Sequence, residues 1–177
     1  MPSLTTSDIR NVALVGHATS GKTLLAESIL KCTGAISSMG AITKGNTVTD
    51  YDPLEKSHQR SLSSGVIYVD HDGKRINIVD TPGYPDFLGH ALSSLPAAET
   101  AAVVIDARSG VQTVTTRMML AAKERGMARM VVINKIDVEE VDFTNLMAAI
   151  VDAFGTECLP INLPASGGGK VVDCFFN

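Results

Sequence analysis

A chain of 177 residues, 45% of them apolar, is long enough for one ordinary domain with a substantial core. Its 15 Lys+Arg against 19 Asp+Glu leave a net charge of -4 with no basic run, which argues against a broad or sequence-specific nucleic-acid face. The N-terminal stretch MPSLTTSDIR lacks the apolar core of an export signal, and no apolar run is long enough to cross a bilayer, so the chain reads as cytoplasmic. Cys32, Cys158 and Cys174 share no C-x-x-C spacing and read as buried thiols in a reducing compartment rather than as a metal site or a disulfide. Arg117, Lys123, Arg125 and Arg129 read as a solvated helix face.

In chain order, Asn11 to Val15 (NVALV) is a short apolar run ending in glycine, the pattern of a buried parallel strand. Next comes GHATSGKT: Gly16, His17, Ala18, Thr19, Ser20, Gly21, Lys22 and Thr23. It fits GxxxxGK[ST] and leads into a predicted helix, TLLAESILK, stopped by Thr33 and Gly34. In such a loop the backbone amides wrap phosphate oxygens and the helix N-terminus adds its positive dipole. Gly16 and Gly21 permit the backbone path. Lys22 would neutralise the β- and γ-phosphates, and the Thr23 hydroxyl would be a ligand for Mg2+.

Ile36 to Ser64 carries little periodicity and is expected to be a long functional or mobile loop. Val66 to Val69 and Ile76 to Val79 then read as strands of a hairpin turning at Asp72-Gly73. The second strand runs into Asp80, Thr81, Pro82 and Gly83 (DTPG). Asp80 would hold Mg2+ through water, and the Gly83 N–H would reach the third phosphate. Phe87, Leu88, Ala91, Leu92 and Leu95 mark an amphipathic helix closed at Pro96. A strand (Ala101 to Ile105), a helix (Thr113 to Arg125), a strand (Met130 to Ile133) and a last helix (about Val141 to Phe154) follow. Strands alternating with helices predict an α/β fold, a doubly wound and mostly parallel sheet with helices on both faces. Asn134, Lys135, Ile136 and Asp137 (NKID) end the last of those strands. The Asp137 carboxylate can accept from the N1–H and exocyclic amine of guanine, a pair of donors that adenine lacks, which favours GTP/GDP by about 10⁴-fold or more. Asn134 would brace the loop, and the Lys135 stem would cover the ring face.

These motifs, with TVTDYD (Thr47 to Asp52), RINIVDTPGYPDF (Arg75 to Phe87), GVQ (Gly110 to Gln112) and PINLP (Pro160 to Pro164), resemble the N-terminal part of the GTP-binding domain of translational GTPases, specifically elongation factor G and its variant forms. The resemblance implies a P-loop NTPase fold, GTP hydrolysis stimulated by the ribosome, and service in translation. It implies a GTP domain over residues 1–158 lacking its final strand and helix, and the start of the inserted subdomain over 159–177. Leu159 to Leu163 and Val171 to Phe176 are expected to pair across Gly167-Gly168-Gly169. The remaining domains of a longer factor are expected partners, and nucleotide affinity is expected to be weaker here than in the whole factor.

The chain departs from that family's pattern in three places. Its first switch carries arginine-glycine-isoleucine-threonine with the threonine on Mg2+; here the stretch is His58-Gln59-Arg60-Ser61, with Ser63 and Ser64 nearby as alternative registers. Ala18 and Thr19 stand where isoleucine and aspartate are usual. Tyr84 replaces the histidine after DTPG. A phenol with a pKa near 10 is no general base at neutral pH, so Tyr84 either orients the attacking water or packs on the following helix. Slow hydrolysis without ribosomes is the expectation. A GTP-dependent ribosome-binding module with little turnover, a ribosome-protection or recycling factor, and an adenine-nucleotide P-loop enzyme stay open as alternatives.

Overall fold

The structure is a computed structural model that describes residues 4–138, 141–165 and 169–175. A five-stranded sheet is built from β1 (Ile9–Val15), β2 (Gly65–His71), β3 (Lys74–Asp80), β4 (Thr100–Asp106) and β5 (Ala128–Asn134), in the order β2-β3-β1-β4-β5. Only the β2/β3 hairpin is antiparallel; β3, β1, β4 and β5 run parallel. Asp72 and Gly73 have φ of 47° and 73°, the doubly left-handed turn whose twist suits a two-residue hairpin loop.

Side chains alternate across the strands and divide the core in two. Ala13, Val15, Ala101, Val103 and Ile105 pack with α3 (Leu88–Ser94), α4 (Thr113–Glu124) and α5 (Phe143–Phe154) on one face. Leu14, Ile67, Val69, Ile78 and Ala102 pack with α1 (Lys22–Cys32) on the other. Both faces of the sheet are therefore covered, as the alternation of strands and helices predicts. Gly34 closes α1 in the left-handed region at φ 74°, and Gly126 follows α4 at φ 66°.

Several boundaries move. The strands each extend a residue or two past their apolar runs, because ladder hydrogen bonds continue where the side chains turn polar. Single-turn 3-10 segments flank α3 at 85–87 and 95–97, so the expected amphipathic helix is shorter than its pattern. The stretch 36–64 is not wholly irregular: α2 (Pro53–His58) lies within it. Asp52 caps it by accepting from the Leu54 amide at 2.7 Å, Glu55 closes a capping box, and Pro53 occupies the first turn. At six residues, α2 is too short to leave a helical period.

Arg129 lies on β5 and not on the α4 face with Arg117 and Lys123. The thiols are not buried as expected: Cys32 and Cys174 are exposed and Cys158 is intermediate. Asn162–Ala165 (β6) pairs antiparallel with Lys170–Asp173 (β7), so the expected pairing near the end of the chain is present; Gly167, Gly168 and Phe176 lie outside the described residues. Among the described residues no helix is long and apolar enough to cross a membrane.

Candidate functional site

From β1 the sheet continues to β3 on one side and to β4 on the other, so the chain diverges at the carboxyl end of β1. GHATSGKT follows β1, DTPG follows β3 and NKID follows β5, which brings the three sequence motifs to one rim of the sheet. Gly16 and Gly21 hold φ of 136° and 94°. At Gly21 a Cβ would collide with the Asn134 side chain, so glycine is required both by conformation and by space.

The rim is fastened before any ligand is considered. Asn134 Nδ2 donates to the Ser20 carbonyl at 2.9 Å, the bracing expected of it. Lys135 Nζ donates to the Thr19 carbonyl and to Asp106 Oδ2, both at 2.7 Å. Thr19 and Lys135 are both non-glycine residues in the left-handed region, at φ 64° and 58°. Such strain persists only where surrounding contacts hold it, as these two hydrogen bonds do. Asp106 also accepts from the amides of Arg108 and Ser109. Burial alone would raise its pKa, but Lys135 and those amides outweigh it and hold the carboxyl below its ordinary value. Asp137 is exposed at the rim, and Ile136 packs against the core beneath it.

At the phosphate loop, Lys22 is buried and donates to the carbonyls of Gly16 at 3.1 Å and His17 at 2.8 Å. Burial pulls its pKa down to about 8, with Asp80 opposing. Burial, aided by the Lys22 charge, also lowers His17. Gly83 lies against this ammonium and against the backbone of Ala18, whose amide donates to the Gly83 carbonyl at 2.8 Å. A Cβ at Gly83 would strike both, so DTPG docks directly on the phosphate loop.

Deeper in, Asp80 Oδ2 accepts from Thr23 Oγ1 at 2.7 Å and from Thr49 Oγ1 at 3.0 Å. Its other oxygen, Oδ1, is buried with no hydrogen-bond partner. Burial pushes the Asp80 pKa up to about 6, while Thr23, Lys22 and Thr49 work against it and Asp50 adds to it. Ser61 Oγ donates to Asp50 Oδ1 at 2.7 Å and lies 3.4 Å from Thr23 Oγ1. Ser63 bonds Glu55 instead, and Ser64 accepts from Ser94. Of the three serines, Ser61 is the one set beside Thr23. A hydroxyl pair with one orphaned carboxylate oxygen is a hard-oxygen donor set, and it suits Mg2+, which takes few protein ligands and keeps its waters.

Tyr84 is half-buried, and the Arg60 guanidinium lies over its ring at 4.8 Å from the centroid. Both line a cavity of about 230 Å³ whose walls also include Ala18, Lys22, Ser61 and Gly83. Sequence reasoning missed Arg60, Thr49, Asp50 and Asp106 as site residues. Thr49 and Asp50 lie in the Thr47 to Asp52 motif and Arg60 in the His58 to Ser61 stretch, but neither stretch gave them a role, and nothing signalled Asp106.

Residues 7–170 match the family model described as the elongation factor Tu GTP binding domain. The chain is 41% identical over 160 residues to an elongation factor G-like protein of Mycobacterium tuberculosis, covering 90% of this chain and 22% of that protein. It is 35% identical over 159 residues to mitochondrial ribosome-releasing factor 2 of Drosophila willistoni, covering 90% and 22%. A crystal structure of a Thermus thermophilus protein superposes with a TM-score of 0.88 at 41% identity, covering 94% of this chain and 26% of that one. The chain thus spans about a fifth of the length of the curated relatives it matches. A phosphate loop, a docked DTPG and a braced NKID on one sheet rim agree with those matches: the chain belongs to the elongation factor Tu GTP-binding domain family, with elongation factor G-like proteins among its relatives.

Proposed function

We propose that this chain is the GTP- and Mg2+-binding, GTP-hydrolysing part of an elongation factor G-like translation factor that acts on the ribosome in the cytoplasm. The observation that carries the reading is the rim itself. Asn134 and Lys135 hold the phosphate-loop carbonyls, and Asp80, whose Oδ2 takes the Thr23 hydroxyl, keeps its other oxygen unpartnered. Gly16 to Thr23 hold the phosphates, Asn134 to Asp137 select guanine, and Thr23, Ser61 and Asp80 (through water) hold the metal. Mg2+, when bound, neutralises phosphate charge and orients the phosphate chain. Lys22 gives up its carbonyl partners for phosphate oxygens, which stabilise a charge that burial disfavours. Gly83 turns its amide toward the third phosphate, and Tyr84 orients the attacking water by hydrogen bonding. Residues 1–158 form the GTP domain and 159–177 open its inserted subdomain.

The test is nucleotide competition followed by phosphate release. GTP and GDP should displace a labelled guanine nucleotide while ATP does not; indifference between the purines would defeat the reading. Phosphate release should be slow alone and rise with ribosomes, and Tyr84→His should raise it further. One observation favours a second reading, a GTP-dependent ribosome-binding module with little turnover: the residue after DTPG is Tyr84, whose phenol is no general base at neutral pH. No ribosome stimulation in either variant would support that module. Mitochondrial ribosome-releasing factor 2 among the relatives keeps a recycling role within the same proposal.

A further inference from the structure

Arg60 and Tyr84 come from two different segments that meet over the phosphate loop. Arg60 immediately precedes Ser61, whose hydroxyl stands 3.4 Å from Thr23. Tyr84 immediately follows Gly83, which lies against the Lys22 ammonium. The pair is therefore pinned at both ends to residues of the phosphate pocket. The guanidinium, 4.8 Å from the ring centroid, roofs the cavity that Lys22, Ser61 and Gly83 also line. Ala18 lines the same cavity.

Arg60 is exposed, and among the described residues its side chain has one weak hydrogen bond, Nε to the His58 carbonyl at 3.4 Å. An aromatic face orients a guanidinium while leaving its in-plane N–H groups able to meet an anion. We infer that Arg60, held by stacking on Tyr84, is a specificity-determining contact for the third phosphate, which makes a cation–ring pair the bridge between the segment around Ser61 and the DTPG loop. This rests on the guanine-nucleotide reading of the same pocket. On that reading the third phosphate, which a diphosphate lacks, is the group that Arg60 meets. Arg60 discriminates between them, and Tyr84 positions Arg60 through its ring, a task separate from any use of its hydroxyl.

Equilibrium binding of GDP and of the non-hydrolysable β,γ-imido analogue of GTP tests this without recourse to turnover. Arg60→Ala should weaken the analogue about tenfold and GDP less than about twofold, the scale of one charge-assisted hydrogen bond. Preserved GDP binding also shows that the variant is folded. Tyr84→Leu should reproduce the selective loss, Tyr84→Phe should not, and Arg60→Ala with Tyr84→Leu should cost no more than either alone. Equal losses for both nucleotides, no loss for either, additive effects, or a Tyr84→Phe defect equal to that of Tyr84→Leu would overturn the inference while leaving guanine binding intact. Failure of the unaltered chain to bind either nucleotide would overturn both this and the function it rests on.

Discussion

Two buried charges in the phosphate pocket have pKa values moved in opposite directions, and each sets a pH signature. Asp80 is raised to about 6, so it stabilises the nucleotide-free fold at pH below its unfolded value, and that contribution is lost as pH rises through about 6. Lys22 is lowered to about 8, so its contribution is present only at high pH and is lost as pH falls through about 8. Between those values both groups are charged and neither helps the empty fold. On the proposed reading a metal ion would keep Asp80 ionised and a polyphosphate would keep Lys22 protonated. Binding of Mg2+–GDP should therefore release a proton near the Asp80 value, about 6, and take one up near the Lys22 value, about 8. Calorimetry in buffers of different ionisation enthalpy reads both signs, and proton exchange of one sign throughout would contradict the assignment. At the base loop, Asp137→Ala should cut the preference for GTP over ATP by about a hundredfold or more, as measured by competition.

The three motifs that meet at the rim were legible at this scale because each is written in contiguous residues. Asp106 and Arg60 were not, since their partners Lys135 and Tyr84 lie far along the chain and only the fold brings them together.

Among the elements, the long segment between α1 and β2 is organised by two carboxylates. Glu27 on α1 accepts from the amides of Gly40 and Val48, each at 2.6 Å. Glu55 on α2 accepts from the amides of Leu62 at 2.9 Å and Ser63 at 3.1 Å, and from Ser63 Oγ at 3.2 Å. Both are 1% exposed, too enclosed for surface charges, so their backbone partners are what makes burial tolerable. In sequence they look like ordinary polar helix positions. Amide partners leave no side-chain pattern, which is why the segment read as featureless while the hairpin and the parallel strands, each with its own periodicity and turn, did not. Glu55→Ala should destabilise the chain by about 3 kcal/mol, with hydrogen exchange rising first at Leu62 and Ser63. Protection unchanged at those amides would show that Glu55 is not what holds them.

For the whole molecule, the sheet and its helices are a scaffold separable from the rim. Met118 is fully buried on α4 beneath the sheet, and Met118→Ala should cost about 2–5 kcal/mol in chemical denaturation. The nucleotide increment should nevertheless survive: GDP at about a hundred times its dissociation constant adds about 2.7 kcal/mol, in the variant as in the parent chain, while ADP adds nothing. A lost increment would mean that the core and the rim are mechanically coupled.

The ties from Asn134 to Ser20 and from Lys135 to Thr19 fix how far apart the two ends of the pocket stand. They act as a gauge cut to one length. A ligand with the right head and the right tail but a longer spacer cannot stretch the protein to suit itself, and must forgo one end. On the proposed reading, selectivity would thus be metrical as well as chemical, set when the chain folds rather than when the guest arrives.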